Sequence, residues 1–210
     1  MNANAIITIL LMPAAVAAII AVSLVQAKKA RANLAVLGDK LGLCLDTQGR
    51  FFKKHRLIGE LRGKATDIFG YTTGSGKNQQ SWVAIAVRVK SPTGLTFSLK
   101  QRMSLFEFIA KRFRKNTVEL GDVAFDEKWV LATNQPDFMQ AALLPELRAK
   151  ILRLSGGRFA SGHYKCEVST VQYAEQGSFS GEQLCTRLGE ISGLVCDLAD
   201  VVEVFTEVQK

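Results

Sequence analysis

The chain has 210 residues, 48% of them hydrophobic and 22% charged, with 17 Gly, 4 Pro, 4 Cys and a formal net charge of +8. Ordinary apolar content excludes a disordered or collagen-like chain, and four Cys are too few for a disulfide scaffold. The charge is unevenly placed: residues 28–115 carry 19 Lys or Arg against 5 Asp or Glu, net +14, whereas residues 116–210 carry 8 against 14, net −6.

Ala5 to Ala27 runs for 23 residues without a charge. As a helix it is about 34 Å long, against a hydrocarbon core of about 30 Å, so it predicts a single transmembrane anchor over residues 1–27. Pro13 is tolerated near the end of a membrane helix. Val25-Gln26-Ala27 has the outline of a cleavage site, but the MNANA start lacks the basic segment that opens a secretory leader, which favours a retained anchor. Lys28, Lys29 and Arg31 follow at once. By the positive-inside rule they place the N-terminus outside and the remaining chain in the cytoplasm.

Residues 28–55 read as a juxtamembrane helix and basic linker, with Leu34, Leu37 and Leu41 at helical spacing and Gly42 as the stop. Residues 56–210 read as one α+β domain of antiparallel sheet and flanking helices. Arg56 to Phe69 predicts two strands broken at Arg62-Gly63. Trp82 to Val89 alternates with Val83, Ile85, Val87 and Val89 on one face, and after the Ser91-Pro92-Thr93-Gly94 turn Leu95, Phe97 and Leu99 predict the returning strand of a hairpin. Ser104 to Arg114 predicts a short basic amphipathic helix, and Lys128 to Thr133 a strand. Pro136 opens a helix that Pro145 restarts and Gly156-Gly157 ends. Tyr164, Cys166 and Val168 alternate as a strand that Val171 to Ala174 can join, and Ser180 to Val208 is a long closing helix.

The motifs with chemical appeal weaken against their surroundings. Gly70 to Asn78 imitates a phosphate loop, but Tyr71 stands where the pattern needs Gly, Asn78 where it needs Ser or Thr, and a β-branched strand follows instead of a helix. A hairpin loop is the better reading. His55 sits among Lys53, Lys54 and Arg56, a basic patch, while His163 and Cys166 are three apart on a strand and point to opposite faces. Asp122 and Asp126 read as a turn stabilised by Asp, with Phe125 as its core plug. Cys44, Cys166, Cys185 and Cys196 show no CxxC pair or metal spacing and read as small buried thiols. No catalytic, cofactor-binding or metal residue is expected.

Two surfaces remain. Lys28, Lys29, Arg31, Lys53, Lys54, Arg56, Lys111, Arg112, Arg114 and Lys115 are expected to contact the membrane surface, since anionic headgroups attract basic side chains. Nucleic acid is not expected, because no recognition motif accompanies the charge. In the closing helix Leu184, Leu188, Ile191, Val195, Leu198 and Val202 step by four and three, either core against the sheet or a possible partner interface.

Leu57 to Gly63 (LIGELRG), Gly121 to Val130 (GDVAFDEKWV) and Leu143 to Arg148 (LLPELR), following the apolar span in that order, make the chain resemble uncharacterised bacterial single-pass membrane proteins whose cytoplasmic α+β domain carries a Gly-Asp-x-x-Phe-Asp turn. The resemblance implies a bacterial inner-membrane setting and no activity or cofactor. The resulting expectation is a non-catalytic accessory or scaffold subunit of a respiratory, photosynthetic or secretion-type complex, with the bilayer, anionic headgroups and other membrane subunits as partners. The alternatives are a membrane-tethered enzyme or small-ligand sensor using Asp122, Asp126 and His163, and an anionic-lipid-binding module working through residues 100–115.

Overall fold

The computed structural model describes residues 3–46, 56–90, 94–102, 117–154 and 162–208, with side chains from Val16 to Glu207. Lys53, Lys54, Lys111, Arg112, Arg114, Lys115 and the helix expected over Ser104 to Arg114 lie outside the described residues.

Helix α1 (Ala3–Leu41) runs unbroken from the apolar segment into the domain and stops at Gly42, whose φ of 68° suits glycine. Among the described residues nine strands follow: β1 (Cys44–Asp46), β2 (Arg56–Leu61), β3 (Lys64–Thr73), β4 (Gln80–Arg88), β5 (Phe97–Gln101), β6 (Thr117–Val118), β7 (Trp129–Thr133), β8 (His163–Glu167) and β9 (Thr170–Gln176). Helices α2 (Val123–Lys128), α3 (Pro136–Ala142) and α4 (Pro145–Leu154) are interposed, and α5 (Glu182–Val208) closes the chain. The strands form one antiparallel sheet in the order β1-β2-β3-β4-β9-β8-β5-β7-β6.

The period-2 alternation decides which face is covered. Leu45, Leu57, Ile68, Ile85, Tyr173, Tyr164, Leu99, Leu131 and Val118 pair in sequence across all nine strands, making one apolar row on the face under α5. The neighbouring row on the opposite face reads Arg56, Phe69, Ala84, Ala174, His163, Lys100 and Val130.

Four expectations change. β4 and β5 do not form a hairpin: β4 pairs with β3 and β9, and β5 with β7 and β8, because the β8–β9 hairpin inserts between them. Alternation fixes a strand's face and leaves its neighbour open. Second, Leu34, Leu37 and Leu43 belong to the domain core, so the packed domain begins inside the segment read as a linker. Third, Leu188, Ile191, Val195, Leu198 and Val202 are fully buried and Leu184 is half-buried. That seam is packed on the chain's own sheet and is not presented to a partner. Fourth, Cys44 is exposed, unlike Cys166, Cys185 and Cys196.

Candidate functional site

Helix α1 is one rod with two surroundings. From Val16 to Lys29 every position is exposed, Ile19 at 67% and Leu24 at 66% among them. Leaving apolar side chains in water on all sides of a helix forfeits about 25 cal/mol for each Å² left unburied, which soluble domains avoid. Among the described residues no helix is long and apolar enough to cross a membrane. The side chains of residues 5–15, half of the uncharged run, lie outside the described set.

From Ala30 inward the same helix becomes amphipathic. Leu34 and Leu37 are buried, and the Asn33 side-chain amide donates to the Phe179 carbonyl at 2.8 Å. Gly189 allows the close approach of α1 and α5, since a Cβ there would lie 3.3 Å from Lys40 Nζ and 3.6 Å from Leu37 Cδ1. Lys28, Lys29 and Arg31 form an exposed collar where the apolar stretch ends. Arg56 stands apart from it, bridging Asp46 at 2.9 Å and Asp67 at 3.4 Å across β1 and β3.

Two clefts flank the first turns of α5. One, of about 290 Å³, lies against α1 between Asn33, Leu37, Lys40, Glu182, Cys185 and Thr186. The other, of about 410 Å³, lies against α4 and is lined by Arg153, Leu154, Gln183, Arg187 and Glu190 among others. Behind the second is a polar cluster on the covered face. Glu175 is fully buried, accepts from Tyr173 Oη at 2.9 Å, and takes both contacts of Arg187 Nη2 at 2.7 and 2.5 Å. Burial, then the Glu175 charge, pushes the Tyr164 and Tyr173 hydroxyls far up, so both stay neutral. Burial works against the Arg187 charge, and the bond to Glu175 together with the surrounding negative charge, that of Glu175 foremost, outweighs it. Trp129 and Tyr164 rings meet at 5.7 Å and Tyr164 and Tyr173 at 4.7 Å, while Trp129 Nε1, Tyr164 Oη and Arg187 Nε are buried with no hydrogen-bond partner among the described residues.

Sequence reading missed this cluster, though its signal was present: Val171, Tyr173 and Glu175 share the inward phase of β9, and a carboxylate there demands a cation. It also missed a second network at the far end of α5. Arg62 bonds Asp197 at 2.5 Å and Asp200 at 2.8 Å, Lys64 bonds Glu203 and reaches Asp200 at 3.0 Å, and Lys150 bonds Asp197. Burial raises Asp197 and Glu203, but the bonds from Lys150 and Arg62 to the former, and from Lys64 and the Lys90 amide to the latter, hold both below the usual carboxylate range.

The residues named for chemistry are dispersed. Asp122 caps α2, accepting the Phe125 amide at 3.2 Å, and lies 3.7 Å from Arg148, while both Asp126 oxygens accept the Leu120 amide at 3.1 Å. Phe125 is fully buried between them. His163 meets the Trp82 ring edge-on at 6.0 Å on the face opposite α5. Cys166 lies on the covered face, its thiol pushed up to about 11 by burial. The loop Gly74 to Gln79 joins β3 to β4 as an exposed hairpin tip. Among the described residues, no group of three His, Cys, Asp or Glu stands close enough to hold a metal ion.

No protein-family model matches the chain, and no curated protein matches it. Among solved structures it is similar in fold to the crystal structure of the mycobacterial trehalose monomycolate transport factor A, TtfA, with a TM-score of 0.50 and 13% identity, over 84% of this chain and 95% of that one.

Proposed function

We propose that this chain is a membrane-tethered, non-catalytic accessory subunit of a bacterial inner-membrane complex. Its N-terminus is outside and its α+β domain is on the cytoplasmic face. The observation that carries the reading is α1: a helix exposed on every side from Val16 to Ala27 and apolar there except at Ser23 and Gln26, then a basic collar, then the same helix built into the domain core at Leu34 and Leu37. The sequence extends the apolar run back to Ala5, long enough to cross once. A tether continuous with the core transmits the position of the membrane to the domain, which suits a subunit that holds a surface in place.

The rival reading, a tethered enzyme using Asp122, Asp126 and His163, gains little from their geometry. The two carboxylates sit at the start of α2, engaged with backbone amides, while His163 stands on β8. The mycobacterial protein of similar fold is a transport factor by name, so a secretion or transport assembly is one setting the proposal admits. The test is capture of the tagged full-length chain from its native membrane in mild detergent. A stoichiometric set of membrane subunits is the expected result, and recovery of the chain only as a monomer would count against the proposal.

A further inference from the structure

The direction of the tether fixes which end of the domain looks at the bilayer. Asn33 bonds the Phe179 carbonyl just before α5, while Leu37 and Lys40 lie against Gly189 further along it, so α5 and α1 run the same way, away from the apolar segment. β9 feeds α5 through Gly177 to Gly181, so the end of β9 is on the tether side. The β3–β4 hairpin is joined to that end, because the Gly177 amide donates to the Ser81 carbonyl at 2.9 Å. Thr73 pairs with Gln80 one step beyond Ser81, and Gly74 to Gln79 form the tip, exposed throughout.

Asn33 is six residues past Ala27, about 9 Å below the end of the apolar run. The hairpin continues about two strand positions beyond Ser81 toward the same side, up to about 7 Å. Lys77 at the tip therefore stands at the bilayer-facing end of the domain, the end that carries Lys28, Lys29 and Arg31. On these grounds we propose that the β3–β4 tip, through Lys77, is a docking point for anionic lipid headgroups. The helical tether and the tip would then grip the surface at two places and set the tilt of the domain. The occupant is a lipid surface because the tip carries a cation, lies at the same end of the domain as three others, and is turned toward the bilayer by the tether. Glu182, exposed at the start of α5, lines the cleft with Asn33 and Lys40.

The inference rests on the tether proposed above, and the experiment separates the two. Ser75→Cys, on the same exposed tip and leaving Lys77 in place, is made in a Cys44→Ser background and labelled with an environment-sensitive fluorophore in the full-length chain, reconstituted into phosphatidylglycerol–phosphatidylcholine vesicles with or without a headgroup nitroxide. Val168→Cys, in the β8–β9 turn at the opposite end of the sheet, is the reference site. The expected result is a blue shift and nitroxide quenching at position 75, neither at 168, and a weaker signal at 75 both in vesicles of phosphatidylcholine alone and when Lys77→Glu is added. A vesicle-bound protein with no quenching at 75, equal quenching at both sites, or a signal at 75 that Lys77→Glu leaves unchanged overturns the docking point and leaves the tether standing. Failure of the chain to remain with the vesicles overturns both.

Discussion

Glu175→Gln tests the energetics of the covered face most sharply. The carboxylate is fully buried and takes one contact from Tyr173 and two from Arg187, whose own side chain is 30% exposed. Gln still accepts from Tyr173, so the loss is confined to the charge that Arg187 requires. Removing one partner of a buried pair costs about 3–5 kcal/mol, and the partial access of Arg187 to water brings this to about 2–3 kcal/mol. For a domain of this size each kcal/mol moves the thermal midpoint by about 2–4 °C, so the variant should melt roughly 4–12 °C below the parent. Differential scanning calorimetry of the full-length chain in detergent at pH 7 reads this directly. Glu175→Gln with Arg187→Met should recover most of the loss, since the uncompensated cation is then gone. An unshifted single variant, or a double variant melting below the single, would refute the argument that the pair is buried and mutually required.

Stability should also depend on pH in a defined direction. Asp197 and Glu203 are held below the usual carboxylate range by Lys150, Arg62 and Lys64, so their contribution is present above the unfolded values and is lost as pH falls through the folded ones. A melting series should be flat from about pH 7 to 5 and decline below about pH 4, with a shallower decline in Asp197→Asn. Asp67 runs the other way: burial raises it and Oδ1 lacks a hydrogen-bond partner among the described residues, so Asp67→Asn should leave the midpoint at pH 7 unchanged or higher. Asp122→Ala removes the cap of α2 and should cost about 1 kcal/mol in calorimetry with the fold retained. Ile19→Arg touches no core, so the midpoint should hold, while a charge inside the apolar run costs about 2–3 kcal/mol of insertion and should shift the chain toward the aqueous fraction on membrane flotation.

Local patterns carried most of the elements. Gly42 stopped α1, Arg62-Gly63 broke β2 from β3, and Pro136 and Pro145 each opened a helix, because these residues restrict or free the backbone wherever they stand. The β4–β5 pairing failed because a strand's partner depends on contacts made far along the chain, here by β8 and β9. The closing helix displays a heptad seam whether it meets another chain or its own sheet, and only the buried row from Leu57 to Leu131 distinguishes the two. The Asp-x-x-Phe-Asp turn was readable as a cap because Asp serves its own nearby amides. The Glu175–Arg187 pair joins a strand to a helix residue twelve positions later, a spacing that no short-range motif marks.

The most direct measurement of the central claim is alkaline carbonate extraction of native membranes containing the full-length chain. A tether that crosses the bilayer should keep the chain in the pellet. Complete release into the supernatant would contradict the tether and, with it, the reading of the protein as a membrane-anchored subunit.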